Sequence, residues 1–208
     1  MKWMTKFLSR IVPPLLALGL AGCATAYGVA APRIAQPDIA GAYLPLSARI
    51  HLGLTKAAGA AMMIQPGIAV TNAHNANLLD SDSVIGTAGQ SDLMFFHARG
   101  GPPPPSAVPV VGEAVTAYGQ DTSGKLRLAH GVVRQIVMVP GYSTSPYFIF
   151  AGDAGPGFSG GPVIDGAGKL VGITFGYKDE GKTRLIYAYD VARVLAELSL
   201  LEKAPRKG

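Results

Sequence analysis

From about residue 47 onward, apolar and polar positions alternate with a period of two in short runs, and each run stops at glycine, proline, asparagine or aspartate. That period puts every second side chain on one face of a strand, so the pattern predicts β-structure. Residues 48–55 set Ile50, Leu52 and Leu54 on one face and His51 on the other. The runs 60–64 and 67–71 flank Gln65-Pro66, a hairpin that would carry His74 to the end of a strand. One helical turn is expected over 75–79, then an acidic loop with Asp80 and Asp82, a strand over 83–87, and an apolar strand led by Asp92. Further strands are expected over 110–119, 126–139, 147–150, 162–164, 170–175 and 184–189. Asp190 then reads as the N-cap of a helix over 191–201, with Val191, Val194, Leu195 and Leu198 on one face.

Two stretches break the pattern. Residues 100–108 contain four consecutive prolines, which impose an extended conformation and suit a connection between two β-units, one at about 46–108 and one at about 109–189. Residues 24–45 are rich in alanine and proline without clear periodicity and read as a flexible tether, part of which would alternatively pack on the domain. Residues 204–208 read as a frayed basic tail.

The first 23 residues stand outside the fold. Lys2, Lys6 and Arg10 precede an apolar run from Ile11 to Leu20, and small residues close it, the layout of a secretory signal. Leu20-Ala21-Gly22-Cys23 resembles a bacterial lipobox, which implies cleavage before Cys23 and lipid on its sulfur. Ala24 after it resembles the sorting signal of an outer-membrane lipoprotein facing the periplasm, in the bacterial cell envelope. Cys23 is the single cysteine of 208 residues, so the domain at 46–203 is expected to fold without internal disulfides.

Charge narrows the function classes. The chain has 18 basic and 13 acidic residues. Three of the basic ones and no acid lie in the signal segment, so the remainder carries +2, too little to argue for nucleic acid. The four histidines are scattered, which gives no support to a metal site, and no cofactor is expected.

The candidate chemistry centres on Gly155-Pro156-Gly157-Phe158-Ser159-Gly160-Gly161, a serine in a glycine-dense turn that runs into an apolar strand. Glycines there permit backbone angles closed to other residues and leave main-chain N–H groups bare beside the hydroxyl. The amides of Gly157 and Ser159 are the expected oxyanion donors. A serine needs a base and a group to orient it. Val70-Thr71-Asn72-Ala73-His74 and Ser91-Asp92-Leu93-Met94-Phe95 resemble the histidine and aspartate motifs of the chymotrypsin/trypsin-like serine proteases, and the order His74, Asp92, Ser159 is that family's order. An α/β-hydrolase elbow is excluded, because all four histidines precede Ser159.

The resemblance covers about 46–203 and implies an all-β chymotrypsin-like fold: two six-stranded antiparallel β-barrels, the first shortened, with a C-terminal α-helix. It implies a serine endopeptidase in which Ser159 attacks, His74 is the base, Asp92 orients it, and protein or peptide substrates pair with Thr174, Phe175 and Gly176. The 18-residue step from His74 to Asp92 is short for the family and leaves Asp80 and Asp82 as competitors. Asp153 sits where trypsins carry the carboxylate that selects Lys or Arg, but Asp153-Ala154 also resembles the HtrA-like loop, where it has no such role. Lys182 and Arg184 would instead favour acidic substrates. Phe158 stands where digestive enzymes carry an aspartate that pairs with a processed N-terminus, so no such activation is expected, as in HtrA-like and glutamyl-endopeptidase-like branches. A protease-fold lipoprotein that binds without turnover is the alternative. Oligomeric state is left open by the sequence.

Overall fold

A computed structural model describes residues 27–49, 55–138 and 147–204. The elements are β1 (Val29–Ala30), α1 (Pro37–Ala42), β2 (Tyr43–Arg49), β3 (Thr55–Gln65), β4 (Ile68–Thr71), β5 (Val84–Thr87), β6 (Met94–His97), β7 (Ala114–Gln120), β8 (Leu126–Val137), β9 (Tyr147–Gly152), β10 (Pro162–Asp165), β11 (Leu170–Glu180), β12 (Thr183–Asp190) and α2 (Val191–Lys203). Short 3-10 turns at Ala73–Leu78 and Ser81–Ser83 interrupt the first half.

All pairings between these strands are antiparallel and fall into two units. Strands β8, β7, β10, β11, β12 and β9 follow one another and close through β8–β9 into a six-stranded barrel, with β1 added along β8. Strands β2, β3, β4, β6 and β5 form the other sheet. The mostly-β architecture with a closing helix is as expected; the first unit differs, being a five-stranded sheet among the described residues and not a six-stranded barrel. The two-residue link Pro66-Gly67 turns β3 into β4, and Gly67 takes the positive φ of 80° that such a turn asks of its second residue.

The period-two reading explains the barrel interior. On β12, Ile186 and Ala188 are buried, and they meet Phe148 and Phe150 of β9, Val115 and Ala117 of β7, and Val163 of β10. A second core lies between the five-stranded sheet and α2, from Met62, Val70, Leu93 and Phe95 to Val194 and Leu198. The side chain of Asp190 accepts from the Ala192 amide and starts α2, as expected of an N-cap.

In place of the flexible tether expected over 24–45, the described part of it is structured. Ile39 and Ala42 of α1 are fully buried, Gly101 donates to the Gly41 carbonyl at 2.6 Å, and β2 begins at Tyr43. Pro45 conceals β2 from sequence reading, yet it is harmless there because β2 is an edge strand with one neighbour. The strand expected over 48–55 is divided between the end of β2 and the start of β3; His51 lies outside the described residues, as do the signal segment with Cys23 and residues 205–208. The proline run links β6 to β7 without strand structure of its own apart from one bridge at Ser106.

Candidate active site

His74 enters the site because β4 stops at Thr71 and the chain turns at once into a 3-10 segment. The neighbouring loop meets this turn at four points. Asn72 Nδ2 and the Ala73 amide donate to the Asp92 carbonyl at 2.9 and 3.3 Å. The His74 amide donates to Asp92 Oδ1 at 3.0 Å, and His74 Nδ1 stands 2.6 Å from Asp92 Oδ2. A carboxylate at that distance fixes the proton on Nδ1 and leaves Nε2 as the acceptor. The pair is half open to solvent, with side-chain exposures of 48% and 33%. Its contribution is therefore orientation far more than stability. The Asp92 amide donates to Tyr189 Oη at 2.9 Å, which ties the carboxylate-bearing loop to the barrel. Asp80 and Asp82, the competitors for this role, bond within their own 3-10 turn.

Ser159 sits in a loop that tolerates little but glycine at two points. Gly157 and Gly160 have φ of 90° and 80°. A Cβ at Gly157 would lie 1.9 Å from the Gln120 carbonyl oxygen, and one at Gly160 would lie 2.2 Å from both the Ala60 oxygen and Thr71 Oγ1. The loop is held by its carbonyls: Gln120 N donates to Gly157 O, Ala60 N to Ser159 O, and Gly161 N to Phe158 O, at 3.1, 2.9 and 2.8 Å. Neither the Gly157 nor the Ser159 amide donates to any described residue. The two expected oxyanion donors are thus free of internal acceptors.

His74, Gly157 and Ser159 line one cleft of about 350 Å³, together with Ala57, Ala58 and Asn75. Within it, no hydrogen bond joins the Ser159 hydroxyl to the His74 ring. A second, much smaller cavity of about 10 Å³ opens beside Ser159 and is lined by Ala154, Gly155, Phe158, Thr174, Gly176, Tyr177 and Ile186, with no charged side chain.

The remaining sequence candidates fall in different places. Asp153 does not line that small cavity: its Oδ2 accepts from the Gly28 amide at 3.2 Å and its Oδ1 stands 4.0 Å from Arg184. Arg184 is in turn held in a two-pronged pair with Asp179, Nε at 2.6 Å and Nη2 at 2.8 Å. Lys182 is exposed in the turn between β11 and β12. Thr174 differs from expectation, because its amide donates to Gly161 O and its carbonyl accepts from Gly160 N, both at 2.9 Å. The barrel strand and the serine loop use that backbone already. On the side facing β10, pairing with β11 ends at Ile173, so the open strand edge begins at Phe175 and runs through Gly176. Phe175 is fixed by stacking on Tyr189, ring centroids 4.2 Å apart.

Asn75 was invisible in the sequence as a site residue. It is 4% exposed, and its Nδ2 donates to Thr71 Oγ1 and to the Ser159 carbonyl, both at 3.0 Å. It therefore joins the histidine turn to the serine loop across the two units. Gln120 does the same from the barrel, bonding Gly157 through its backbone and the Leu46 and Gly59 carbonyls through its side chain. Neither residue belongs to a periodic or motif pattern; only the position of Asn75 next to His74 was a signal.

A family model described as the trypsin-like peptidase domain matches residues 67–173, just over half of the chain, and includes His74, Asp92 and Ser159. A search of curated proteins finds no match. Among solved structures, the inactive form of a serine-to-alanine variant of Rv3671c from M. tuberculosis is similar with a TM-score of 0.63 and 20% identity, covering 88% of this chain and 100% of that one. A serine endoprotease from Yersinia pestis is similar with a TM-score of 0.62 and 17% identity, covering 79% of this chain and 64% of that one. These likenesses place the fold among the chymotrypsin-like proteases, and the chain belongs to the trypsin-like peptidase family.

Proposed function

We propose that this chain is a serine endopeptidase that hydrolyses peptide bonds through Ser159, His74 and Asp92, exported and lipid-anchored through Cys23 in the bacterial cell envelope, on the outer membrane facing the periplasm. The observation that carries the reading is the two-point contact of Asp92 with His74 in the cleft that Ser159 shares. Ser159 Oγ attacks the carbonyl carbon while its proton passes to His74 Nε2. The carbonyl oxygen becomes an oxyanion at the Gly157 and Ser159 amides, and Asp92 stabilises the charged imidazole. The tetrahedral carbon then expels the amine, which takes the proton from His74. Water repeats the sequence on the acyl-serine and releases the carboxylic acid.

Substrate backbone would lie along the open edge from Phe175 to Gly176, in strand addition. Asp153, already occupied by Gly28 and Arg184, leaves no reason to expect selection of Lys or Arg. Phe158 in place of an acid supports an HtrA-like or glutamyl-endopeptidase-like branch that needs no processed N-terminus. Export and anchoring rest on the Lys2 to Cys23 segment alone, and loss of labelling by a palmitate analogue in Cys23→Ser tests them.

The missing Ser159–His74 hydrogen bond supports a second reading, a binding module of the same fold without turnover. Catalytic hydrogen bonds often tighten only around substrate, so one experiment separates the two. The full chain is treated with a fluorophosphonate at pH 8 beside Ser159→Ala and His74→Ala. Labelling of the parent that is lost in both variants supports the endopeptidase; a folded parent that never labels supports the binding module.

A further inference from the structure

The strand β1 is two residues long and both are exposed, which gives it little reason to be ordered. Nevertheless it is fastened at every step. Arg127 donates through Nε to the Tyr27 carbonyl at 2.9 Å and through Nη2 to the Gly28 carbonyl at 2.7 Å. The Gly28 amide donates to Asp153, and the Ala31 amide to the Leu126 carbonyl at 3.1 Å. The Tyr27 ring lies under the Arg184 guanidinium at 4.1 Å, with Tyr177 also against it at 4.5 Å.

What these fastenings hold in place is the underside of the serine loop. The Tyr27 ring presses so closely on Gly155 that a Cβ there would be 2.3 Å from it. Gly28 caps the end of the Phe158 ring, 3.0 Å from its Cζ to a Cβ built on Gly28, and Gly119 meets the same ring from the barrel side. Phe158 is 2% exposed, and it sits between Gly157 and Ser159, which line the cleft and whose amides have no acceptor among the described residues. Its own amide and carbonyl bond within the loop, to Gly155 O and from Gly161 N. Wherever the ring settles, the two flanking amides follow, because only one residue separates them.

We propose that Tyr27–Ala30 is a positioning clasp for the serine loop, with Tyr27 as the positioning residue. It holds Gly155 and Phe158 from below so that the Gly157 and Ser159 amides converge without any newly cut N-terminus. The inference rests on the endopeptidase reading for its kinetic consequence only; the contact it describes is testable by itself.

The test uses the full 208-residue chain in detergent micelles, as parent, Tyr27→Ala, Tyr27→Phe and Arg127→Lys. Two quantities are measured: hydrogen exchange of the peptide covering 154–161, and kcat and KM on a peptide ester. For Tyr27→Ala the expected results are faster exchange in that peptide by about tenfold and a kcat lower by about ten- to a hundredfold at nearly constant KM. Tyr27→Phe keeps the ring and restores both. Arg127→Lys, which leaves the core untouched, shifts both in the same direction and serves if Tyr27→Ala does not fold. Unchanged exchange in the 154–161 peptide of both Tyr27→Ala and Arg127→Lys overturns the clasp, whatever the catalytic result. A parent without turnover overturns the endopeptidase reading instead, and exchange alone then decides the clasp.

Discussion

Asn75 offers a perturbation whose size follows from the structure. Truncation to alanine removes two hydrogen bonds, each worth about 0.5–1.5 kcal/mol net. Neither partner is stranded, since Thr71 Oγ1 also donates to the Ala60 carbonyl and the Ser159 carbonyl also accepts from the Ala60 amide. Asn75→Ala should therefore cost about 1–3 kcal/mol. Gly59 faces the same side chain: a Cβ there would stand 2.7 to 2.8 Å from Nδ2, Cγ and Oδ1 of Asn75. Gly59→Ala alone must push the amide off both acceptors and should cost about 2–3 kcal/mol. With Asn75 already alanine, the new methyl group enters vacated space, and the double variant should cost no more than about 1–2 kcal/mol. The expected coupling is at least about 1 kcal/mol towards stability, measured by urea unfolding followed by far-UV circular dichroism. Fluorophosphonate labelling of Asn75→Ala should also slow by about tenfold, because the histidine turn loses its strap to the serine loop. Costs that add within about 0.5 kcal/mol would refute the packing argument.

Three further outcomes are expected. Gly157→Ala meets both a positive φ and a carbonyl oxygen 1.9 Å from the new Cβ, so it should abolish labelling and lower stability by about 2–4 kcal/mol in the same unfolding assay. Burial raises the Asp190 carboxyl above its ordinary value despite the hydrogen bond from the Ala192 amide; the stability it lends is full at acid pH below about 3.9 and is lost as pH rises through the raised value. Asp190→Asn keeps the cap and should flatten that part of the stability–pH curve, and an unchanged curve would contradict the assignment. Profiling against a peptide library should show a small uncharged residue before the cleaved bond, since the cavity beside Ser159 is about 10 Å³ and bears no charge; Asp153→Asn should leave the ratio of rates on lysine and alanine substrates the same, and a collapse of lysine cleavage would restore Asp153 to the pocket.

The strands were legible because half-buried β-structure writes its own period: Ile186 and Ala188, or Val115 and Ala117, fall two apart because they fill one barrel face. His74, Asp92 and Ser159 could be singled out as candidates because each sits beside residues that chemistry constrains locally. What escaped was every feature made by residues distant in the chain. Asn75 reaches across 84 positions to Ser159, and Gly28 across 125 to Asp153, with no local pattern to announce either. The bonds of Thr174 to Gly160 and Gly161 escaped for the same reason, since only the folded barrel brings them together. The start of β2 was hidden because Pro45 is permissible in a strand only at an edge position, which the sequence does not reveal.

The fastening of Tyr27 also sets a leash. A flexible segment of the 22 residues from 24 to 45 would wander about 25 Å from its anchor. With Tyr27 locked onto the barrel, only four peptide units separate it from Cys23, a reach of at most about 14 Å. If Cys23 carries the proposed lipid, the domain would then be held within that reach of the bilayer.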